Sequence, residues 1–409
     1  MTQPGAEAPA LTVGDERIVD VGPIAHGGHF IAHSDGRTLF VRHAMTGERV
    51  RVRITEVNRR IVRADAIEVL QASSQRVAPP CAWAHAGGCG GCDFQMISLD
   101  EQRRLKTRVV AEALERFAGI PDAVARFDLD VRALPDSPDG LPWRSRMRWG
   151  VSAEGALGLR RHRSHALVNV GSCLLAAPGT DAPDLASQVP GGASEVVAAR
   201  GTDGSVSVVA DGRHIAGPTS VRESLGVREW RVRPTSFWQV HPGLARALSE
   251  EVVAQAEAAP GQAWWDLYSG AGLLAAGVAE VVGPQGRVDA VETSHDAIRE
   301  ARRALYDLRW VRLHSSDVAT WLRSQHHPSP DGVILDPPRS GAGLPVVTAL
   351  ADYQVPTIVY VACDPVALAR DVAHFASRGY TLDRVVAFDA FPMTHHVESV
   401  ARLRLGGFH

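Results

Sequence analysis

The sequence predicts an α/β protein that begins with two β-rich regions and ends in a doubly wound sheet of mainly parallel strands. From about residue 236, short apolar strands alternate with helical segments, which is typical of βαβ units. Earlier in the chain, short strands follow one another through glycine-containing turns. A chain of 409 residues is also too long for one ordinary core. We therefore expect three domains, at residues 9–72, 73–235 and 236–409.

The composition is that of a soluble globular protein, with 45% apolar and 22% charged residues. No apolar run approaches the roughly 18 residues of a membrane span. The first residues also lack the charged-then-apolar pattern of a secretion signal. We therefore expect a cytoplasmic monomer with no membrane partner. Five cysteines without a secretion signal argue against a disulfide framework and favour metal binding or catalysis.

Residues 9–72 predict a small β-barrel of the OB kind, which is a common platform for nucleic acids. Strands are expected at 17–21, 38–41, 49–54 and 61–64, with glycine-containing turns between them. Arg49, Arg51 and Arg53 alternate with apolar residues, so one face of that strand is predicted to be basic and the other apolar.

The arginines are clustered, although the net charge of −3 does not by itself indicate a nucleic-acid partner. Seven lie between residues 42 and 63, and six lie between residues 141 and 165. Trp143 and Trp149 are interleaved with the second cluster. We favour phosphate contacts as the explanation, and two solvated surfaces are the alternative.

Three cysteines follow the first region with the spacing C-x7-C-x2-C, at Cys81, Cys89 and Cys92. The glycines among them let the backbone wrap closely around a metal centre. Cys173 is a possible fourth ligand, with 80 residues between it and Cys92. Such a set fits an iron–sulfur cluster or a structural zinc, and the spacing does not separate the two.

The central region is predicted to contain one helix and several strands. Residues 99–117 carry apolar residues at a helical period. Strands are expected at 129–133, 147–151 and 206–210, and residues 177–204 are expected to form a surface excursion.

The C-terminal region carries a glycine turn and an acid at the ends of its first two predicted strands. The strand at 263–268 runs into Ser269-Gly270-Ala271-Gly272, and the strand at 288–291 ends at Glu292, twenty residues after Gly272. A glycine turn lets the backbone approach a nucleotide-like ligand, and an acid at this distance binds ribose hydroxyls. NAD and S-adenosylmethionine both fit.

Three later strands end at Asp317, Asp336 and Cys363. The last of them runs through 357–362 and stops at the turn that Asp364-Pro365 predicts. Because ligands bind at the carboxyl ends of parallel strands, the thiol of Cys363 is a candidate functional group. A small buried thiol is the alternative. A helix at 371–378 and strands at 384–388 and 400–405 are expected to close the domain.

Asp336-Pro337-Pro338 resembles the fourth motif of class I S-adenosylmethionine methyltransferases and has no counterpart in the dinucleotide fingerprint. With DPPRSG (336–341), VACDP (361–365) and DAFPMTHHVE (389–398), the chain resembles the RNA 5-methyluridine methyltransferase family over nearly its whole length. The front of the chain resembles a TRAM domain. The stretch CGGCDFQ (89–95) is similar to the branch that acts on 23S ribosomal RNA, and FWQV (237–240) to the segment that opens the catalytic domain.

The resemblance implies a class I, Rossmann-like methyltransferase domain, an RNA substrate, S-adenosyl-L-methionine and a 4Fe-4S cluster. It assigns cofactor contacts to Gln239, Tyr268, Glu292, Asp317 and Asp336. It makes Cys363 the nucleophile and Glu398 the general base, and the cluster ligands become Cys81, Cys89, Cys92 and Cys173. Ribosomal RNA is favoured, with tRNA and a non-catalytic RNA-binding protein as alternatives. Two of these residues also have a purely structural alternative to the role that the resemblance assigns. Glu398 could be an exposed acid at the start of a strand, and Asp336 could be a helix cap.

The chain departs from the family pattern at five positions. It has Ala362 and Asp364 where the family usually has Ser and Asn around the cysteine, and Ser269, His241 and Met393 where the family usually has Cys, Asn and Gln. Its first cysteine gap is also about two residues longer than usual. None of these changes removes a group that the chemistry needs. We expect the negative charge of Asp364 to raise the pKa of the neighbouring thiol.

Overall fold

The computed structural model describes residues 11–324 and 327–406. They form two compact units. Of the described residues, unit 1 contains 11–105, Arg160–Val168 and Pro392–His395, and unit 2 contains the others.

The described residues contain nine α-helices. They are α1 (Leu99–Ala118), α2 (Ala123–Phe127), α3 (Ala182–Leu185), α4 (Leu244–Ala256), α5 (Leu273–Val282), α6 (His295–Ala304), α7 (Val318–Arg323), α8 (Gly343–Asp352) and α9 (Pro365–Ala376). None of the helices in this part of the chain has the length and apolar character needed to cross a membrane.

The strands of the first part of the chain are short and mostly antiparallel. They are β1 (Glu16–Asp20), β2 (Ile24–Ala25), β3 (His29–Ser34), β4 (Arg37–Arg42), β5 (Arg49–Val57), β6 (Val62–Gln71), β7 (Val131–Ala133), β8 (Arg146–Val151), β9 (Leu157–Arg160), β10 (Leu167–Val168), β11 (Glu195–Arg200), β12 (Val206–Ala210), β13 (Arg213–Ala216), β14 (Val221–Leu225) and β15 (Arg228–Val232).

The later strands alternate with helices. They are β16 (Ala263–Leu267), β17 (Arg287–Glu292), β18 (Val311–Ser315), β19 (Gly332–Leu335), β20 (Thr357–Ala362), β21 (Tyr380–Asp389) and β22 (Glu398–Leu405).

Unit 1 contains one sheet with the strand order β1-β5-β6-β4-β3-β2. The predicted alternation in β5 is confirmed, since Val50 and Val52 are fully buried while Arg49 and Arg53 are exposed. Acidic residues on the neighbouring strands partly neutralise this basic face. Arg53 bonds Glu16 at 2.8 Å, and Arg51 bonds Glu68 at 2.9 Å.

The central part of unit 2 has an antiparallel sheet in which the strands β9-β8-β11-β12-β13 are neighbours in that order. The expected surface excursion at 177–204 is wrong for its last part, because β11 lies between β8 and β12. Val196, Ala198 and Ala199 of this strand are fully buried. A short run of small apolar residues lacks the alternation that marks a half-exposed strand, so a strand buried on both faces is easily missed.

The larger sheet of unit 2 has the order β18-β17-β16-β19-β20-β22-β21-β7. The strands β16 to β20 pair with one another in parallel, and β22 is antiparallel to both β20 and β21. Successive residues pack on opposite faces, so that Trp264 and Trp265 belong to two different apolar clusters. The chain order reverses between β16 and β19. A crevice therefore opens beyond their carboxyl ends, which is where sheets of this type bind ligands.

Candidate active site

A cavity of about 720 Å³ lies in unit 2 at the carboxyl ends of the parallel strands. All seven residues that the sequence predicted for cofactor binding and catalysis line it: Gln239, Tyr268, Glu292, Asp317, Asp336, Cys363 and Glu398. They come from segments spread over 160 positions of the chain, and the sheet topology brings them together.

The glycine turn after β16 forms one wall of the cavity. Gly270 and Gly272 both have positive φ, and a Cβ on Gly272 would lie 2.7 Å from Leu305 Cδ1. The Gly270 N–H donates to Glu292 Oε2 at 3.1 Å. This contact fixes the acid at the end of β17 against the turn after β16, which is the arrangement that binds a ribose diol.

Beneath the turn, Asp266 is fully buried and one of its carboxylate oxygens accepts the Ala275 N–H at 2.8 Å. Burial raises the pKa of Asp266 to about 8, and the nearby charge of Asp336 adds to this effect. The sequence did not identify this residue as part of the site.

Asp317 and Asp336 differ in what holds them. Asp317 is exposed and caps α7, because its Oδ1 accepts the Thr320 N–H at 2.9 Å. This backbone hydrogen bond is the main cause that lowers its pKa.

Asp336 caps no helix, since α8 begins seven residues later with Ala342 as its cap residue. That alternative reading of Asp336 is therefore wrong. Its enclosure in the cavity, followed by the charge of Glu292, raises the pKa of Asp336 to about 7.

Cys363 follows directly after β20 and is half-buried in the cavity wall. Burial raises the pKa of its thiol to about 11; the carboxylate of Glu398 adds to this and the guanidinium of Arg339 opposes it. The expected effect of Asp364 is confirmed in direction, but it is a weaker cause than burial or Glu398. Asp364 also has a structural role that the sequence pattern did not predict. It caps α9 by accepting the N–H groups of Val366 and Ala367 at 3.0 and 2.8 Å.

Glu398 is the first residue of β22 and is only 4% exposed, so the alternative of an exposed strand-start acid is wrong. The antiparallel register pairs Ala362 of β20 with Ser399 of β22. Cys363 directly follows Ala362 and Glu398 directly precedes Ser399, so this pairing brings the two residues close together at one wall of the cavity. Burial, and then the charge of Asp336, raises the pKa of Glu398 well above its usual range.

Arg339, Phe391 and His396 also line the cavity, although the sequence did not predict them as site residues. Arg339 follows the Asp-Pro-Pro motif, and its Nη2 lies 3.4 Å from Nε2 of His396. Phe391 packs edge-on against the His396 ring. The available signal was that Arg339 lies in the motif at 336–341 and that Phe391 and His396 lie in the motif at 389–398, but nothing in the sequence indicated that the two motifs meet.

A buried carboxylate fixes the loop that carries Arg339. Oδ2 of Asp371 on α9 accepts the Tyr360 hydroxyl at 2.6 Å and the N–H groups of Ala342 and Gly343 at 2.7 and 3.2 Å. A Cβ on Gly341 would lie 2.7 Å from the same oxygen. The loop is thereby tied to β20 and α9, the two elements that flank Cys363.

The cysteine segment of unit 1 is half-buried and closely wrapped. Gln95 accepts the Cys81 N–H at 3.1 Å, and its amide nitrogen lies 3.2 Å from the Cys92 sulfur. The Gly91 N–H donates to the sulfur of Cys89 at 3.4 Å. Any Cβ on Gly88 or Gly90 would clash with backbone atoms at 2.2 or 2.3 Å, so both positions require glycine.

The structure does not assemble the predicted metal ligands into a site. Cys173 lies in unit 2, where its N–H donates to Asp181 at 2.9 Å. Among residues 11–324 and 327–406, no group of three or more His, Cys, Asp or Glu side chains is placed to hold a metal ion. All five cysteines lie in this part of the chain, and none forms a disulfide.

Two family models match the chain. Residues 262–404 match tRNA (Uracil-5-)-methyltransferase, and residues 10–67 match the TRAM domain. The solved Pyrococcus abyssi tRNA (uracil-54, C5)-methyltransferase, in complex with S-adenosyl-L-homocysteine, superposes with a TM-score of 0.70 at 22% identity. The match covers 94% of this chain and 100% of that one. This likeness shows the fold, a class I methyltransferase domain preceded by β-rich domains.

Curated relatives extend the match to nearly the whole sequence. An uncharacterized RNA methyltransferase of Streptomyces avermitilis is 41% identical, over 96% of this chain and 98% of that protein. The 23S rRNA (uracil(1939)-C(5))-methyltransferase RlmD of Chromohalobacter salexigens is 33% identical, over 93% of this chain and 87% of that protein. The chain therefore belongs to the RNA (uracil-5-)-methyltransferase family.

Proposed function

We propose that this protein methylates carbon 5 of a uridine in RNA, with S-adenosyl-L-methionine as methyl donor, Cys363 as nucleophile and Glu398 as general base. The observation that carries the proposal is that the thiol of Cys363 and the buried carboxylate of Glu398 line one cavity, each next in the chain to a residue of the Ala362–Ser399 pair of β20 and β22. The five residues proposed to contact the cofactor line the same cavity.

The charges of the cavity favour S-adenosylmethionine over NAD. Its described lining includes Glu292, Asp317, Asp336 and Glu398, whereas Arg339 is its one permanent cation. A pyrophosphate would be repelled by this lining, while a sulfonium cation would be attracted. A positive charge here would also favour the ionised forms of Cys363, Asp336 and Glu398, whose pKa values are all raised without it.

The chemistry requires a nucleophile and a base side by side. Carbon 5 of uracil is a poor nucleophile until a thiolate adds to carbon 6 and moves the double-bond electrons toward carbon 5. When bound, S-adenosylmethionine supplies an electrophilic methyl group. Glu398 would then take the hydrogen from carbon 5, and the returning electron pair re-forms the double bond as the bond between carbon 6 and the Cys363 sulfur breaks.

The RNA substrate is proposed to be 23S ribosomal RNA. A relative named for that substrate is 33% identical along almost the whole chain, whereas the solved enzyme named for tRNA is 22% identical. A tRNA substrate and a non-catalytic RNA-binding role are the alternatives. We further propose that residues 9–72 bind RNA, residues 73–235 carry the cysteines and residues 236–409 catalyse the reaction. Methylation profiling of RNA from cells without the gene separates the substrates.

We also propose a 4Fe-4S cluster on Cys81, Cys89, Cys92 and Cys173. The donor chemistry fits, because thiolates are the ligands of such clusters and N–H groups approach two of the sulfurs. No step of the reaction is assigned to the cluster. Anaerobically purified protein should contain iron and sulfide, and zinc alone would contradict this assignment.

The function is tested with RNA in which the target uridine is 5-fluorouridine. Fluorine at carbon 5 cannot leave as a proton, so the adduct between Cys363 and carbon 6 should persist through denaturation when the methyl donor is present. We expect this adduct with the wild-type protein and none with Cys363→Ala. If the wild-type protein forms no adduct with any candidate RNA, the proposed mechanism fails.

A further inference from the structure

A short segment of unit 1, Pro392–His395, is held in place by several buried hydrogen bonds. The N–H groups of Asp93 and Phe94 both donate to the Met393 carbonyl at 3.0 Å. The Met393 N–H in turn donates to Oε1 of Gln102 at 2.8 Å. Met393 has φ of 67°, a conformation that non-glycine residues rarely adopt and that these hydrogen bonds stabilise.

Gln102 is fully buried on α1 and is itself fixed. Its amide nitrogen donates to the carbonyls of Phe94 and Ile97 at 3.0 and 2.9 Å. One glutamine therefore connects the segment after the cysteines with the segment that contains Met393. Removal of this side chain would leave three buried backbone groups without their partners.

Asp93 makes the second connection. Its Oδ2 lies 2.6 Å from Nδ1 of His395, and its Oδ1 accepts Nη2 of Arg42 at 2.9 Å. Asp93 and Arg42 are 8% and 5% exposed. On the other side of the histidine, a Cβ on Gly28 would lie 2.8 Å from the Cβ of His395, so the turn before β3 requires glycine here.

The anchored segment continues directly into the candidate catalytic residues. His395 is followed by His396, and Glu398 is two residues further on; both line the cavity of unit 2. Asp93, which contacts this segment, comes directly after Cys92 in the chain. The residues after the cysteine motif thus hold the part of the chain that leads into β22.

We propose that Asp93 and Gln102 are positioning residues that hold the chain so that Glu398 is placed to take the hydrogen from carbon 5. The proposal rests on the proposed function, and it assigns a role to the residues that follow the last clustered cysteine. Loss of the anchor would leave the thiol and the cofactor residues in place and would misplace the base alone.

The test measures two chemical steps separately, the addition of the Cys363 thiolate to carbon 6 and the removal of the hydrogen from carbon 5. Adduct formation with 5-fluorouridine RNA requires Cys363 and the methyl donor but no base, whereas tritium release from RNA with [5-³H]uridine requires the base. We expect Asp93→Ala and Gln102→Ala to slow tritium release about 10- to 100-fold, since a shift of about 1 Å can cost a hundredfold in rate. The rate of adduct formation should change less than about threefold. Ordinary uridine RNA should also accumulate as a covalent complex with these variants.

Asp100→Ala is the matched control, because Asp100 is an exposed acid of α1 in the same unit. It should leave both rates unchanged. Asp93→Asn keeps an acceptor for Arg42 and should show an intermediate loss of tritium release. This variant tests the proposal if Asp93→Ala does not fold. Equal loss of both rates in folded variants, or no loss of tritium release, would overturn the proposal. If the wild-type protein fails both assays, the proposed function itself fails.

Discussion

The cavity of unit 2 and the cysteine segment of unit 1 were both predicted from spaced motifs, but the structure gathers only the cavity residues into one site. All seven predicted residues of the cavity line one space, although they are far apart in the chain. The predicted metal ligands are not gathered into a group that could hold a metal ion, within the residues that the structure describes. Strand ends are positioned by the sheet itself, whereas cysteines in loops depend on the loop conformation and on the metal that they bind.

The largest expected effect lies in the cavity. Cys363→Ala should lower methyl transfer by at least about 10⁴-fold, because it removes the proposed nucleophile. Single-turnover methylation with labelled methyl donor measures this loss. Ser340→Ala, at an exposed neighbour of Arg339, is the control and should retain normal activity. Full activity of Cys363→Ala would show that the cavity does not work by covalent catalysis.

A large effect is also expected in the cysteine segment, on metal content. Replacing any one of the four proposed ligands should remove most of the bound iron, because all four thiolates are proposed to hold the cluster. The variants are Cys81→Ala, Cys89→Ala, Cys92→Ala and Cys173→Ala. Cys363→Ala should keep it. Iron and sulfide analysis of anaerobically purified proteins makes the measurement. Normal iron content in Cys173→Ala would limit the ligand set to unit 1.

A moderate effect is expected when Arg339 is removed. The raised pKa of about 11 keeps Cys363 mainly as the thiol at neutral pH, so alkylation should accelerate about tenfold per pH unit below that value. Arg339 opposes the raised pKa, and Arg339→Ala should therefore move the profile further to high pH. Iodoacetamide labelling between pH 7 and pH 11, without cofactor, gives the profile. A shift to lower pH would contradict the assigned effect of Arg339.

The smallest effect is expected for Asp364→Asn. Asparagine can still cap α9, so the fold should be retained. Loss of the charge should lower the pKa of Cys363 slightly, because Asp364 is a weaker cause than burial or Glu398. Labelling at pH 8 should accelerate less than about threefold. A tenfold acceleration would make Asp364 a main determinant of the thiol's reactivity.

The sequence by itself determined the α/β class, the strands of the larger sheet and the polar residues at their ends. These features are local, since each depends on an apolar run, a turn and one side chain. It did not predict the buried strand β11, because the small apolar residues of this strand do not alternate with polar ones. It also missed the caps made by Asp317 and Asp364.

Only the tertiary structure decided which of these residues meet. The pairing of β20 with β22 brings Glu398 close to Cys363, and Asp371 ties the Arg339 loop to the elements beside that cysteine. Likewise, the contacts of Asp93 with His395 join positions 302 residues apart. Such pairings depend on strand order and on buried hydrogen bonds between distant segments, which the pattern of residues along one segment does not contain.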